Sequence, residues 1–220
     1  MADSHYPLLA REGRVHVAIA VAAAAAVHFF AGGWWAAPLW FVVVFILQFF
    51  RDPPRRIPDD PGVVICPADG KVIALGEAED PYLRRPSRRV SVFMNVFNVH
   101  SNRIPVAGIV KDAWYSKGKF INASFDKASL DNERNALWIR TDDDRDVVVV
   151  QVAGLIARRI LCYVQPGARI ARGERYGFIR FGSRVDVYLP RDAQFEVALG
   201  DSVKGGADVI ARFAPKAQEK

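Results

Sequence analysis

The chain has 220 residues, 51% of them hydrophobic, with 30 Lys and Arg against 24 Asp and Glu, a net charge of +6 and a pI near 9.5. That length suits one globular domain of about 150–200 residues with an appendage, and the basic balance fits an anionic partner, either a nucleic acid or a membrane surface rich in acidic lipids. Nucleic acid is set aside because the polar part of the chain carries no basic stripe interleaved with aromatics, and Cys66 and Cys162, far apart and in no CxxC, exclude a zinc motif and read as reduced, buried small hydrophobes.

Val15 to Phe50 contains no Asp, Glu, Lys or Arg. An Ala- and Val-rich run, Val15 to Ala31, is broken by Gly32-Gly33 and followed by a more aromatic run, Trp34 to Phe50. Each run is near the lower limit for crossing a bilayer, and together they predict a helical hairpin. No cleavage site with a polar mature start follows, so a signal peptide is a poor fit. Trp34, Trp35 and Trp40 suit an interfacial belt, and Arg11 and Arg14 before the hairpin with Arg51, Arg55 and Arg56 after it place both ends on the cytoplasmic side. The other readings are a re-entrant anchor and a helical pair buried in a soluble core. The expected organisation is a tail and membrane-anchoring hairpin over residues 1–50, a linker over 51–62 and a domain over 63–220, at the cytoplasmic face of the cell (inner) membrane.

The linker "RDPPRRIPDDPG" holds four prolines, which forbid helix continuation. Beyond it, short β-rich runs recur between turn residues: Val63 to Cys66, Lys71 to Leu75, Val90 to Met94, Ile104 to Trp114, Ala136 to Arg140 and Val147 to Val152. "TDDDRD", Thr141 to Asp146, reads as a solvated hairpin loop. Its acids crowd one short turn with no distant ligand, so no metal is expected. "ASLDNERNALW" predicts one short turn of helix. In "RFGSRVDVYLP" the alternation puts Val185 and Val187 on one face of a strand, and Asp186 and Tyr188 on the other.

Two segments echo each other. Gly167, Ile170 and Gly173 in "GARIARG" have the spacing of Gly200, Val203 and Gly206 in "GDSVKGG". The glycines permit tight turns around an apolar residue that points inward. This spacing resembles the hairpins of lipoyl/biotinyl-type barrel-sandwich domains. Lys204 lies near the place of their modifiable lysine, but the flanking residues of that motif are absent, so the likeness bears on fold rather than on lipoylation. The expected fold class is α+β and β-dominated: packed sheets with barrel-sandwich, lipoyl-like hairpins, preceded by the hydrophobic helical hairpin.

Of the four histidines, only His100 lies in the polar part of the chain, which makes it the one imidazole candidate for general base; a structural role at a strand end is the other reading. Asp69 in "CPADGKV" is either ordinary Asp-Gly turn chemistry or the carboxylate that orients a histidine. Ser183 follows Gly182. Its context lacks the second glycine of a hydrolase elbow. A glycine before a serine suits a different reaction, in which the hydroxyl attacks the preceding carbonyl and the chain breaks there.

"PADGKV", "FNVHSNRIPVAG", "YSKGKFINASFDKASLDNERN" and "GFIRFGSRVDVYLP", in this order and spacing, resemble the short bacterial and archaeal form of the phosphatidylserine decarboxylase family. The likeness runs from about Pro61 to Phe213, with the anchor matching more loosely. It implies a proenzyme that cuts itself between Gly182 and Ser183 into a β chain, residues 1–182, and an α chain, residues 183–220, which remain associated. Ser183 then becomes a covalent pyruvoyl cofactor. Its carbonyl forms a Schiff base with phosphatidylserine and withdraws electrons as carbon dioxide leaves, yielding phosphatidylethanolamine.

The resemblance assigns Asp69 and a histidine to serine attack. Long-form members carry two histidines, in Y-H-x-x-H-x-P. Anchored on Pro105, His100 matches the first and Arg103 stands at the second. Either His100 serves both cleavage and decarboxylation, or cleavage leans on strain and Asp69. The polar segment Lys117 to Asn135, with Lys119, Asn122, Asp126, Lys127, Asn132, Glu133 and Arg134, is either a head-group loop, in which Lys119 or Arg134 holds a phosphate or carboxylate, or a solvated one. The partners implied are the lipid substrate and the membrane surface, and a homo-oligomer is compatible. A membrane-anchored, non-enzymatic scaffold or adaptor module is the main rival, and a pyruvoyl decarboxylase of soluble amino acids the second.

Overall fold

The structure is a computed structural model that describes residues 7–120, 122–124, 131–154, 159–180 and 182–214. It divides into two compact units, Ala2–Pro54 and Arg55–Lys220.

In the first unit a 3-10 turn, Arg11–Gly13, leads into α1 (Arg14–Ala31), and Gly32 with φ +90° joins it to α2 (Gly33–Phe49). Without a Cβ, Gly32 takes the left-handed conformation that a sharp reversal needs. Small residues set the interhelical contact: Ala24 of α1 and Ala36 and Val43 of α2 are buried. The base of the hairpin is closed by Ala10 N–H to Phe50 O at 2.8 Å and Asp52 N–H to Leu8 O at 2.8 Å. Elsewhere its apolar side chains face outward, with Phe29, Phe30, Trp34, Trp35 and Phe41 all more than two-thirds exposed. The buried-core reading of this pair is therefore overturned. The helical stretch Arg11–Ala31 is long and apolar enough to cross a membrane, whereas α2, at 17 residues, is shorter.

The second unit is strand-dominated, as expected. The strands are β1 (Val63–Ile65), β2 (Gly70–Asp80), β3 (Arg85–Met94), β4 (Ser101–Arg103), β5 (Gly108–Ser116), β6 (Arg134–Arg140), β7 (Asp146–Val152), β8 (Ile160–Cys162), β9 (Arg169–Ile170), β10 (Arg175–Ile179), β11 (Ser183–Leu189), β12 (Ala193–Phe195), β13 (Ser202–Val203) and β14 (Val209–Phe213). A curled eight-stranded antiparallel sheet has the order β13-β2-β3-β11-β7-β6-β5-β9, flanked by three-stranded sheets β1-β14-β12 and β4-β10-β8. The core lies inside the curl. It gathers Val90, Val92 and Met94 of β3, Val147 and Val149 of β7, Val185, Val187 and Leu189 of β11, and Ile210 and Phe213 of β14.

The glycine echo becomes two equivalent hairpins. Gly167 and Gly200 have φ +88° and +94°, and their N–H groups donate to Val110 O at 2.7 Å and Val72 O at 2.9 Å. Gly173 and Gly206, both at φ +80°, donate to Ile104 O and Cys66 O, each at 2.8 Å. Ile170 and Val203 point inward and are buried, opposite Gly108 and Gly70 respectively. At both glycines a Cβ would collide with backbone, at Arg140 O for Gly108 and at Phe93 O for Gly70.

Two local expectations are corrected. Ile104 to Trp114 is not one strand, because Pro105 lacks a donor and the chain re-enters pairing only at Gly108. In the stretch expected to hold a short turn of helix, Asp131 is helical but Arg134 to Trp138 is strand, since β6 pairs with both β5 and β7; residues 128–130 of that stretch lie outside the described residues. The acids of the Thr141–Asp146 turn meet arginines: Asp142 with Arg169 at 2.9 Å, Asp143 with Arg145, and Asp144 and Asp146 with Arg140 at 3.5 and 2.5 Å. Residues 55–62 pack onto the strand unit, where Arg172 donates to Asp60 O at 3.0 Å and Ile57 lies against Gly173.

The equivalence of the two hairpins makes a prediction. Gly70→Ala and Gly108→Ala should each cost about 2 kcal/mol through backbone displacement, read as matching drops in thermal unfolding midpoint. An unchanged midpoint for either would show that its close approach is not needed.

Candidate active site

Parity along β11 decides where Ser183 points. Its odd-numbered residues face the main core with Val185, Val187 and Leu189, and Tyr188 joins a second cluster with Val148, Val150 and Val152 on the opposite face. The predicted alternation is correct, and it puts the Ser183 hydroxyl inward. Ser183 is fully buried, pairs with Met94 across to β3, and its Oγ approaches the Met94 Sδ at 4.0 Å. Gly182, just before it, has φ +60°. Its carbonyl oxygen lies against Gly154, so close that a Cβ there would overlap it.

His100 is fully buried immediately before β4. Its Nδ1 lies 2.9 Å from Asn98 O, and its ring is tilted against Phe178 at 6.2 Å. Its carbonyl accepts from Ile179 N–H at 3.3 Å, which ties His100 to the end of β10, just upstream of Gly182. Asn98 is itself set by a turn: its Oδ1 accepts from Asn95 N–H at 2.8 Å.

Between these elements runs a buried amide series. Asn135 Nδ2 donates to Gln151 Oε1 at 3.2 Å, Gln151 Nε2 donates to Asn102 Oδ1 at 2.8 Å, and Asn102 Nδ2 points to Met94 Sδ at 3.8 Å. The thioether that meets Ser183 is thereby linked to β4, the strand that His100 enters.

Asp69 lies in a turn that is joined to β4 by Arg103 N–H to Pro67 O at 2.9 Å. In the turn between β1 and β2 its carboxylate accepts from Arg55 Nη2 at 2.9 and 2.7 Å and from Gly205 N–H at 2.8 Å. Ser183, His100 and Asp69 thus lie on joined elements, with Asp69 bonded across to the β13–β14 turn and Arg55 as its counter-ion. Arg103, which stands at the second-histidine position, is buried on β4. It donates to Gly173 O at 3.3 Å, and its methylenes lie against Gly206, so it links the two equivalent turns.

In the polar segment, Lys119 N–H donates to Asp131 O at 2.7 Å and Arg134 Nη1 to Asn132 O at 3.3 Å. Asp126 and Lys127 fall outside the described residues. Arg184, fully buried, pairs with Asp186 at 2.8 Å and donates to Ala123 O at 3.2 Å. Cys66 is sealed in the core, where burial pushes its thiol up to about 12 and leaves it unreactive near neutral pH.

Comparison with known proteins bears on this arrangement. The sequence model of phosphatidylserine decarboxylases matches residues 42–211. A phosphatidylserine decarboxylase proenzyme of Nitrosomonas eutropha is 58% identical over 215 residues, which cover 97% of this chain and 100% of that protein. Those of Nitrosomonas europaea and Burkholderia pseudomallei are 58% and 52% identical over 208 residues, in each case 94% of this chain and 96% of the relative. The chain belongs to the phosphatidylserine decarboxylase family. The resemblance drawn from its motifs is correct.

Sequence reasoning missed several residues of this family member's site. Gly154 and Gln151 lie in no motif, and Asn102 and Arg184, though inside motifs, showed no role in the sequence, because each acquires its place only through the pairing of β11 with β7 and the approach of β4. Arg55 was taken only as a topological charge. As the counter-ion of a largely buried carboxylate it has a second consequence: Arg55→Ala should lower stability by about 3 kcal/mol, since the stranded charge of Asp69 remains, and Arg55→Ala with Asp69→Asn should recover much of it. Thermal unfolding of both variants checks this; equal losses would show that the pair is not coupled.

Proposed function

We propose that this chain is a proenzyme that cuts itself between Gly182 and Ser183, and that the processed protein decarboxylates phosphatidylserine to phosphatidylethanolamine. The observation that carries the reading is the buried Ser183 hydroxyl, directed inward behind a left-handed glycine whose carbonyl is seated on Gly154. The residues present fit the conversion of Ser183 into a pyruvoyl group, because a buried hydroxyl follows the scissile carbonyl and the buried His100 leads into β4, whose Asn102 reaches the Met94 thioether beside that hydroxyl.

Ser183 Oγ attacks the Gly182 carbonyl carbon, and His100, the one histidine of the strand unit, takes the hydroxyl proton. The C–N bond breaks, the Ser183 nitrogen leaves as an amine, and an ester joins the two segments. Loss of the Ser183 α-proton then expels Gly182 as a carboxylate that keeps the serine oxygen. The resulting dehydroalanine tautomerises to an imine, and water replaces its nitrogen, releasing ammonia. A pyruvoyl group at position 183 supplies the electron sink for loss of the substrate carboxylate. Asp69 supports the attack indirectly: with Arg55 it holds the β13–β14 turn against Ala68.

The β chain, 1–182, and the α chain, 183–220, would stay together after the cut. The latter supplies β11, in the middle of the large sheet, and β14, between β1 and β12. The substrate's lipid nature accounts for the hydrophobic hairpin, which we assign to the membrane, with the strand unit on the cytoplasmic side where the flanking arginines favour it.

Intact mass under denaturing conditions tests the proposal. Two species divided at Gly182–Ser183, the smaller with an N-terminal pyruvoyl group, are expected, and Ser183→Ala should give one uncut species without decarboxylase activity. A wild-type chain that stays whole while folded and membrane-bound would instead support a scaffold.

A further inference from the structure

The hydroxyl of Ser183 is only half of the cleavage reaction; the other half is the carbonyl it attacks. Rotation about the bonds flanking that peptide decides which face the carbonyl presents, and in a loop leading into a strand this rotation is ordinarily free. Here it is not. The Gly182 oxygen rests on Gly154, and the Gly182 carbonyl carbon is also within contact of the place a Cβ on Gly154 would take.

Gly154 is held firmly. The preceding residue, Ala153, donates its N–H to Glu133 O at 2.9 Å and accepts from Asn132 Nδ2 at 2.7 Å. Ala123 forms a second wall, its Cβ 3.4 Å from where a Gly154 Cβ would stand. The buried Arg184 guanidinium, one residue after the reacting serine, clamps that wall by donating to Ala123 O at 3.2 Å. The pairing of Arg184 with Val152 then brings the Gly154 stretch beside Gly182.

We propose that Gly154 is a positioning residue for self-cleavage: its lack of a side chain creates the seat that turns the Gly182 carbonyl toward the Ser183 hydroxyl. The proposal rests on the self-cleavage reading above. A Cα–H is at best a weak donor, so Gly154 acts by orienting the carbonyl rather than by stabilising charge on its oxygen. A methyl at 154 must displace the oxygen or the strand end, and misplacement of reacting atoms by about 1 Å can cost about 100-fold in rate.

The test is a time course of chain scission in full-length protein synthesised with phospholipid vesicles, comparing wild type, Ser183→Ala and Gly154→Ala. Hydroxylamine, which cleaves an ester but not a peptide bond, is added to parallel samples. The expected result is a Gly154→Ala chain that unfolds within a few degrees of uncut Ser183→Ala, is cut about 100-fold more slowly than wild type, and yields no extra β chain with hydroxylamine, because the ester never forms. Scission of folded Gly154→Ala at the wild-type rate overturns the proposal. So does a β chain released from it by hydroxylamine, which would place the defect at elimination. If Gly154→Ala does not fold, the decision passes to Ala123→Val, which crowds the same seat from the other wall: slowed scission supports the seat and a wild-type rate overturns it. A wild-type chain that is never cut removes the self-cleavage reading itself, an outcome distinct from all of these.

Discussion

Strand β11 is hydrogen-bonded along both edges, to β3 from Ser183 to Leu189 and to β7 from Arg184 to Tyr188, and every one of its residues is buried. A strand so placed cannot slip by one residue, because a slip would exchange Val185 and Val187 in the main core with Arg184 and Asp186. The register therefore does more than close the sheet. It sends the Ser183 hydroxyl into the core, aligns Arg184 with Val152, and brings Gly182 against Gly154. The buried Arg184–Asp186 pair reinforces this choice on the opposite face: a slip would carry both charges into the apolar core and take Arg184 away from Ala123 O.

Around that strand the sheet repeats one pattern. From the centre outward, β11, β3, β2 and β13 on one side match β7, β6, β5 and β9 on the other, and each half ends in a glycine-bounded hairpin. The three-stranded sheets repeat as well, with β1-β14-β12 answering β4-β10-β8. One half, β4 to β10, is a continuous segment nested within the other, so the strands after position 183 pair mainly with β1, β2, β3 and β7, which precede it. On the self-cleavage reading, this topology is what lets the chain be cut next to its central strand without coming apart. Arg103, reaching the turns at both Gly173 and Gly206, links the halves where they meet.

Much of this was legible in the residues. The two-residue alternation of "SRVDVYL" specified both faces of β11, and the spacing of Gly167, Ile170 and Gly173 against Gly200, Val203 and Gly206 specified the paired hairpins, because both patterns are local. What escaped was long-range. "NERNALW" contains good helix formers, yet partners on both edges make Arg134–Trp138 a strand, as tertiary pairing often overrides propensity. Gly154 has nothing beside it in sequence to distinguish it from an ordinary loop glycine. Asp69 was legible as a turn residue, but Arg55, its counter-ion, lies in a proline-rich stretch that gave no sign of packing.

Burial also bears on which product the proposed chemistry gives. An ester between Gly182 and Ser183 has two fates. Water can hydrolyse it, which leaves an ordinary serine at the new N-terminus and no cofactor, or a base can remove the Ser183 α-proton and drive elimination. The first fate needs only solvent; the second needs a fixed geometry. Ser183 and His100 are fully buried and Met94 lies beside the hydroxyl, so the serine side of the ester is held in place, while Gly182 is only half-buried. Selectivity for elimination would then rest on that fixed serine side, which a surface Gly-Ser turn would lack. The constraint that matters is thus the anchoring of Ser183 at the head of a central strand, more than the Gly-Ser bond itself.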